Sequence, residues 1–193
     1  MKKLCITMAF LVTALTLFAG GTRAYSETKF FEYGLRQVYS YVEDVEETNL
    51  TVVGDTVPAT ITFSDYISFE ELAAMVASYD IELQQVQLRG LMPDGTRVTV
   101  ATLVHKGMDY TENVVNQQAE RGGYELVGIT DVYAYIDSDL IDDLSADNQV
   151  YLVEAVAVGN DNSSTMSVGN EADEVAVSFP KSLTWELEDL GLL

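Results

Sequence analysis

Cysteine, histidine and basic residues are all scarce in this chain, and each scarcity excludes a class of site. The single thiol, Cys5, lies in an apolar stretch near the N-terminus. The rest of the chain therefore offers no disulfide, thiolate metal site, haem-attachment motif or cysteine nucleophile. One histidine, His105, is too few for a zinc site built from nitrogen or sulfur ligands. Lys+Arg number 10 against 31 Asp+Glu, which gives a net charge of −21.

The excess of carboxylates restricts the partners. A surface of this sign repels nucleic acid and anionic lipid, so neither is an expected partner, whereas cations and basic protein surfaces are favoured. Hydrophobic residues make up 48% of the chain and aromatic residues 10%, a proportion too high for a disordered acidic chain. The sequence therefore predicts a folded acidic protein.

Residues 1–24 have the pattern of a secretory signal peptide. Lys2 and Lys3 precede the apolar run Leu4–Phe18, and small residues follow as far as Ala24, where a signal peptidase is expected to cut. Cleavage near Ala24 predicts a secreted or extracytoplasmic protein, extracellular or periplasmic. It leaves 7 Lys+Arg against 31 Asp+Glu, a net charge of −24. No later apolar run is long enough to span a membrane, so no span is expected after cleavage.

Residues 25–57 are predicted to form an N-terminal helix and a short strand. Apolar residues recur every three or four positions over 29–47, which predicts an amphipathic helix; they are Phe31, Leu35, Val38, Val42 and Val45. The short apolar run Leu50–Val53 is interpreted as a strand. The helix is expected to pack on this protein's own core or in the groove of another molecule.

A core domain with two longer helices is predicted over 58–158. Apolar and polar residues alternate from Ala59 to Ser64, which is the period of a half-buried strand. Ser68 and Glu71 have the spacing of a capping box and open the first of these helices. Asp109 and Glu112 have a similar spacing and are expected to open the second, which a Gly-Gly pair then ends.

Further strands are predicted between and after these helices. The run Ile81–Leu91 loses its alternation near Gln84-Gln85, which indicates a bulge. Pro93-Asp94-Gly95 predicts a turn, and the next strand is Arg97–Val104.

The second half of the core domain is predicted to contain three strands and a short helix. Tyr124–Ile129 and Val132–Ile136 are interpreted as two strands joined by a turn at Thr130-Asp131. Ser138 opens the short helix, and Val150–Val158 is apolar enough to be a strand covered on both faces. Strands alternating with helices predict an α+β protein with a ferredoxin-like split βαβ sandwich.

The chain is expected to end in a polar loop, 159–174, and in a C-terminal strand with an amphipathic segment, 175–193. Ser182–Leu190 carries the only tryptophan, Trp185. Such a segment either docks on its own domain or serves as an adhesive tail for a partner.

The acidic sequence runs contain no complete metal motif. Asp137-Ser138-Asp139 imitates the start of a calcium loop, but the sixth position is Asp142 instead of Gly and the twelfth is Asn148 instead of Glu. Asp139 and Asp142 are better interpreted as carboxylates in the first turn of a helix. Asn160-Asp161-Asn162 leaves weak Ca²⁺ binding open, and no other cofactor is expected.

No catalytic constellation is evident. His105 precedes Lys106-Gly107 at the end of a predicted strand, and no glycine-flanked nucleophile accompanies it. The sequence has no phosphate-binding glycine loop. No catalytic, cofactor-binding or metal residue is therefore predicted.

Residues 97–156 resemble the inhibitor-type propeptide domains of subtilisin-like proteases. The similarity lies in the strand Val98–Val104, the helix end Ala119–Gly123, the helix Leu140–Leu144 and the segment Asp147–Glu154. The resemblance implies a ferredoxin-like fold and a tail after the last strand that occupies a protease cleft. It rests on pattern and brings no catalytic motif, and fold alone does not imply function.

Three functions follow from these observations. The first is a secreted, acidic, non-catalytic module that binds another protein through a sheet face, a strand edge or a terminal segment. The second is a stand-alone inhibitor of an extracellular protease with a propeptide-like domain. The third is a hydrolase that uses carboxylates and His105.

Overall fold

The computed structural model describes residues 32–52, 54–156, 164–166, 177–180 and 182–193. The expected signal peptide and Asn160–Asn162 lie outside these residues. The chain divides into two compact units, Met1–Ser40 and Tyr41–Leu193. Among the described residues, no helix combines the length and the apolar character needed to cross a membrane.

Residues 32–49 are helical (α1), as the apolar stripe predicts, and from Tyr41 onward they belong to the second unit. The remaining elements all lie in that unit. In chain order they are β1 (Thr56–Ile67), α2 (Phe69–Tyr79), β2 (Glu82–Leu91), β3 (Arg97–Leu103), α3 (Met108–Gly122), β4 (Glu125–Asp137), a 3₁₀ turn (Ser138–Leu140), α4 (Ile141–Ser145), β5 (Val150–Ala155), β6 (Ser164–Met166), β7 (Val177–Phe179) and α5 (Thr184–Asp189).

Five strands form one antiparallel sheet in the order β3-β2-β4-β1-β5. Helix α2 connects β1 to β2, and β4 lies between these two strands in the sheet. Helix α3 connects β3 to β4, and β2 lies between those two strands. Each β-α-β unit is thus split by a strand of the other. The α+β class is confirmed. Strands β6 and β7 pair separately, so three residues of the range 159–174 form a strand where a loop was predicted.

The apolar core lies on the sheet face that packs against α2 and α3. Alternate residues of β1 point into it, as the period-two pattern predicts, and Phe63 is fully buried. The helices contribute Leu72, Met75 and Val115. The other strands contribute, among others, Val86, Leu88, Ile129, Val132 and Ile136.

Three local predictions are confirmed. Ser68 caps α2: its hydroxyl accepts a hydrogen bond from the Glu71 N–H, and the Glu71 carboxylate accepts one from the Ser68 N–H at 2.8 Å. The pairing of β2 with β4 shifts register between Leu83 and Gln85, at the predicted bulge. Gly123, at φ 68°, ends α3 in the left-handed conformation that glycine adopts at no steric cost.

Three local predictions are wrong. Residues 50 and 51 form a turn after α1 and not a strand. The N-cap of α3 is Gly107, at φ 90°, and no side chain caps this helix, because Asp109 already lies inside its first turn. Strand β4 runs unbroken from Glu125 to Asp137, so Thr130-Asp131 is not a turn.

The two polar residues in the middle of β4 are tolerated because both are hydrogen-bonded. Thr130 and Asp131 are each 1% exposed. The Thr130 hydroxyl lies 3.3 Å from the Gln87 carbonyl oxygen and 2.9 Å from Oδ2 of Asp131. Burial of such groups is costly only where partners are lacking.

The outer edge of β5 is closed by a side chain of α1. The Asn49 amide group donates to the Val153 carbonyl oxygen at 2.7 Å, and its oxygen accepts from the Ala155 N–H at 3.1 Å. One side chain thus supplies the donor and acceptor that a neighbouring strand would offer.

Candidate functional site

The sheet face opposite α2 and α3, named here the second face, is mostly polar and yet largely covered. The C-terminal strap, which we define as residues 177–180 and 182–193, lies over it. The docking of this segment on its own domain is thus one of the two expected outcomes. The side chains of the second face include Thr60, Thr62, Gln87, Arg89, Arg97, Thr99, Asp131, Tyr133, Tyr135 and Glu154.

Aromatic contacts hold the start of the strap. The Phe179 side chain is 2% exposed; it stacks on Tyr133 at 5.3 Å between ring centroids and meets the edge of Tyr135 at 5.9 Å. The Thr60 hydroxyl donates to the Pro180 carbonyl oxygen at 2.9 Å. Further along, Leu187 is fully buried, so the strap covers the face as a packed layer.

A buried ion cluster holds the end of the strap. The Glu188 carboxylate accepts from Arg89 Nε at 2.5 Å, from Arg97 Nη1 at 3.0 Å and from the Tyr66 hydroxyl at 2.9 Å. The side chains of Arg89 and Glu188 are each 2% exposed. Arg97 also pairs with Asp189. Because both ions are desolvated, the pair is favourable only while all of these partners are in place.

Trp185 lies over the same two cations. The guanidinium carbon of Arg89 is 3.9 Å from the indole centroid, and that of Arg97 is 4.9 Å away. The indole is 43% exposed and Arg89 only 2%, so the indole lies between Arg89 and solvent. Cation–π contacts of this kind contribute roughly 0.5–2 kcal/mol each, depending on desolvation.

Asp131 is the least compensated group under the strap. Its Oδ2 accepts from the Thr184 hydroxyl at 2.9 Å, whereas within the described residues its Oδ1 is buried without a hydrogen-bond partner. Burial raises the pKa of Asp131 above its ordinary value. Hydrogen bonds from Thr130, Thr184 and Ser182 and the positive charge of Arg89 act in the opposite direction, but the effect of burial is larger.

This raised pKa predicts that the protein loses stability as the pH rises. A carboxyl that is protonated more readily in the folded than in the unfolded chain stabilises the fold most below its unfolded pKa and loses that contribution as it ionises. The urea midpoint is therefore expected to fall as the pH rises above about 4, the pKa of an aspartate in an unfolded chain, and Asp131→Asn is expected to flatten that fall.

The matched control is Asp143→Asn, an exposed residue of α4 whose replacement removes the same formal charge. It should keep the wild-type pH profile. Burial also raises the pKa of Glu154. Ionisation of Glu154 therefore accounts for the dependence of the urea midpoint on pH that remains in Asp131→Asn. An Asp131→Asn profile as steep as wild type would show that Asp131 does not titrate in this range.

The acids expected in the first turns of a helix are placed as predicted. Asp139 lies in the 3₁₀ turn, and Asp142 lies in the first turn of α4. They face an open groove of about 720 Å³ whose other acids are Glu43, Glu46 and Glu47 of α1. Among the described residues, no three His, Cys, Asp or Glu side chains are grouped so that they could hold a metal ion.

His105 lies exposed between β3 and α3. Beside it, the Lys106 ammonium is 4.8 Å from the centroid of the Tyr110 ring. A general base needs a partner that orients its ring, and in the described part of the chain His105 has no hydrogen-bond or ion-pair partner.

Sequence reasoning did not identify Arg89, Glu188 or Asp131. The single available signal was a cation in mid-strand in a chain with few cations, and nothing local indicated a partner 99 positions away. The arrangement can recognise a segment that carries carboxylates and an aromatic ring, since it already holds one. Comparison with protein-family models, with curated proteins and with solved structures finds no match to this chain.

Proposed function

We propose that this chain is a secreted, acidic, non-catalytic protein-interaction module that binds a segment of its partner on the second face of its sheet. The observation that supports this function is the polarity of that face beneath a covering strap. A sheet face that never meets water is normally apolar, whereas a polar face is compatible with both covered and exposed states. We interpret the strap as an occupant that a partner's segment can replace.

The contacts of the strap indicate the chemistry of that segment. Arg89 and Arg97 together bind one buried carboxylate and stack on one indole. Arginine is suited to both contacts because its planar group binds carboxylates through several N–H donors and stacks on rings. The partner segment is therefore expected to be short and amphipathic, with a Trp or Tyr three residues before an acidic residue, as Trp185 precedes Glu188.

The test uses the full chain with the strap released. The double variant Trp185→Ala/Glu188→Gln removes the indole and the buried charge while it leaves the sheet intact. A fluorescently labelled peptide of residues 182–193 is then expected to bind this variant, as measured by anisotropy. Wild type is expected to bind it much more weakly, because its own strap occupies the face.

The matched control is the same peptide carrying the same two substitutions, which should not bind. A released variant that keeps its circular dichroism spectrum but fails to bind the unmodified peptide contradicts the proposal. If binding is seen, proteins captured from the extracellular fraction count as partners only when the unmodified peptide displaces them.

We also propose that the core is a variant of the ferredoxin-like sandwich. The element order β-α-β-β-α-β from β1 to β4 and the mutual splitting of the two β-α-β units support this assignment. The edge position of β3 and the central position of β4 make it a variant, and β5 extends the sheet beyond β1.

A further inference from the structure

Strand β3 forms one edge of the five-stranded sheet, and no other described strand pairs with its outer side. Arg97–Leu103 pairs with β2 over seven positions without a register shift. The Met92 N–H donates to the Thr96 carbonyl oxygen, and the Val104 N–H donates to the Gln84 carbonyl oxygen. These two bonds show which β3 residues are hydrogen-bonded to β2. In an antiparallel ladder the residues between hydrogen-bonded pairs point their N–H and C=O groups away from the partner strand. The outward groups therefore belong to Arg97, Thr99, Ala101 and Leu103.

Beyond Arg97, whose charge is paired with Glu188 and Asp189, none of the usual protections is present on this edge. Natural edge strands carry prolines, bulges or inward charges that discourage a further strand. Val98–Leu103 has none of these, and within the described residues no backbone or side-chain group bonds to its outer side. The opposite edge differs, since the Asn49 amide closes β5. In the part of the chain that the structure describes, one edge of the sheet is thus capped and the other is available.

The occupant that fits this edge is β3 of a second copy. In a chain with 31 Asp+Glu, β3 contains no carboxylate, so two copies can meet here without opposed negative side chains. A two-fold axis at Val100 sets Thr99 against Ala101 of the other copy and Arg97 against Leu103. Small side chains then lie next to the axis, and both are exposed in the single chain.

We infer that two copies of this chain join through their β3 strands in antiparallel register, so that the two sheets become one continuous sheet. Pairing of identical surfaces about a two-fold axis is the commonest form of assembly, and every outward N–H and C=O of β3 gains a partner. The inference concerns the outward backbone groups of β3, although the Arg97 and Thr99 side chains of this strand belong to the second face, and it does not depend on the proposed function.

The test is the mass of the full chain after removal of the signal peptide, measured by sedimentation equilibrium over a range of concentrations. Wild type is expected to dimerise. Ala101→Pro removes one outward N–H without removing a bond to β2, and it should halve the mass at concentrations where wild type is dimeric. Ala101→Ser keeps that N–H and should remain dimeric.

A second variant guards against a folding defect in the first. Leu103→Lys sets a lysine opposite Arg97 of the other copy at both ends of the paired strands, and these like charges oppose pairing. Leu103 is exposed, so this variant should also be monomeric while its circular dichroism spectrum is unchanged. A monomeric wild type, or a dimer that survives both folded variants, overturns the inference; the latter result would assign the contact to another surface.

Discussion

Replacing Arg89 by Met is expected to lower the free energy of unfolding by about 3 kcal/mol, at the lower end of the cost of removing one partner of a buried ion pair. Glu188 would keep Arg97 and Tyr66 but lose its buried cation. The strap can also detach before the sheet unfolds, which limits the cost. Trp185 is the only tryptophan, so its fluorescence should report release of the strap directly. In the same urea titration, circular dichroism reports unfolding of the sheet and helices.

A double-mutant cycle separates the ion pair from the loss of packing. The double variant Arg89→Met/Glu188→Leu removes both charges of the pair, so neither is left buried without its partner. Its loss of unfolding free energy should therefore be much smaller than the sum of the losses in the two single variants. Additive costs would mean that the two side chains act independently. An Arg89→Met variant within about 1 kcal/mol of wild type would place the pair among the weak surface ion pairs instead.

Replacing Phe63 by Ala is expected to cost about 3–5 kcal/mol, since it removes a large side chain from a closed core. Phe63 is fully buried in β1, on the face that packs against the helices. The tryptophan signal and the circular dichroism signal should therefore shift together in urea. In Arg89→Met the tryptophan signal is expected to change first.

Phe69→Ala provides the comparison for this core variant. Phe69 begins α2 and is only partly buried against the same core, so its truncation should cost clearly less than that of Phe63. Equal costs for the two variants would mean that the core does not close around Phe63 as described.

The sequence predicts best what neighbouring residues decide. The capping box at Ser68, the bulge beside Gln84 and the end of α3 at Gly123 each depend on a few consecutive positions. The alternation in β1 likewise identifies which residues face the core. The α+β class follows from the order of such local elements.

What sequence reasoning misses depends on distant residues. The pair Thr130-Asp131 has the composition of a turn, and part of what makes Asp131 tolerable inside a strand is the Thr184 hydroxyl, more than 50 positions later. The alternation of β1 also suggests that Thr60 and Thr62 face solvent, yet both are 2% exposed because the strap covers them. Neither local propensity nor periodicity contains this information.

The way in which Asn49 closes the edge of β5 has a consequence for the choice of expression host. Asn49-Leu50-Thr51 is an acceptor sequence for N-linked glycans, and the nitrogen that would carry the sugar is the one that donates to Val153. A eukaryotic secretory pathway that modified this nitrogen before folding would replace one of its two hydrogens by a sugar, which must then fit beside β5 or displace the Asn49 side chain from this edge. Material made in a host without oligosaccharyltransferase keeps both edges of the sheet as described.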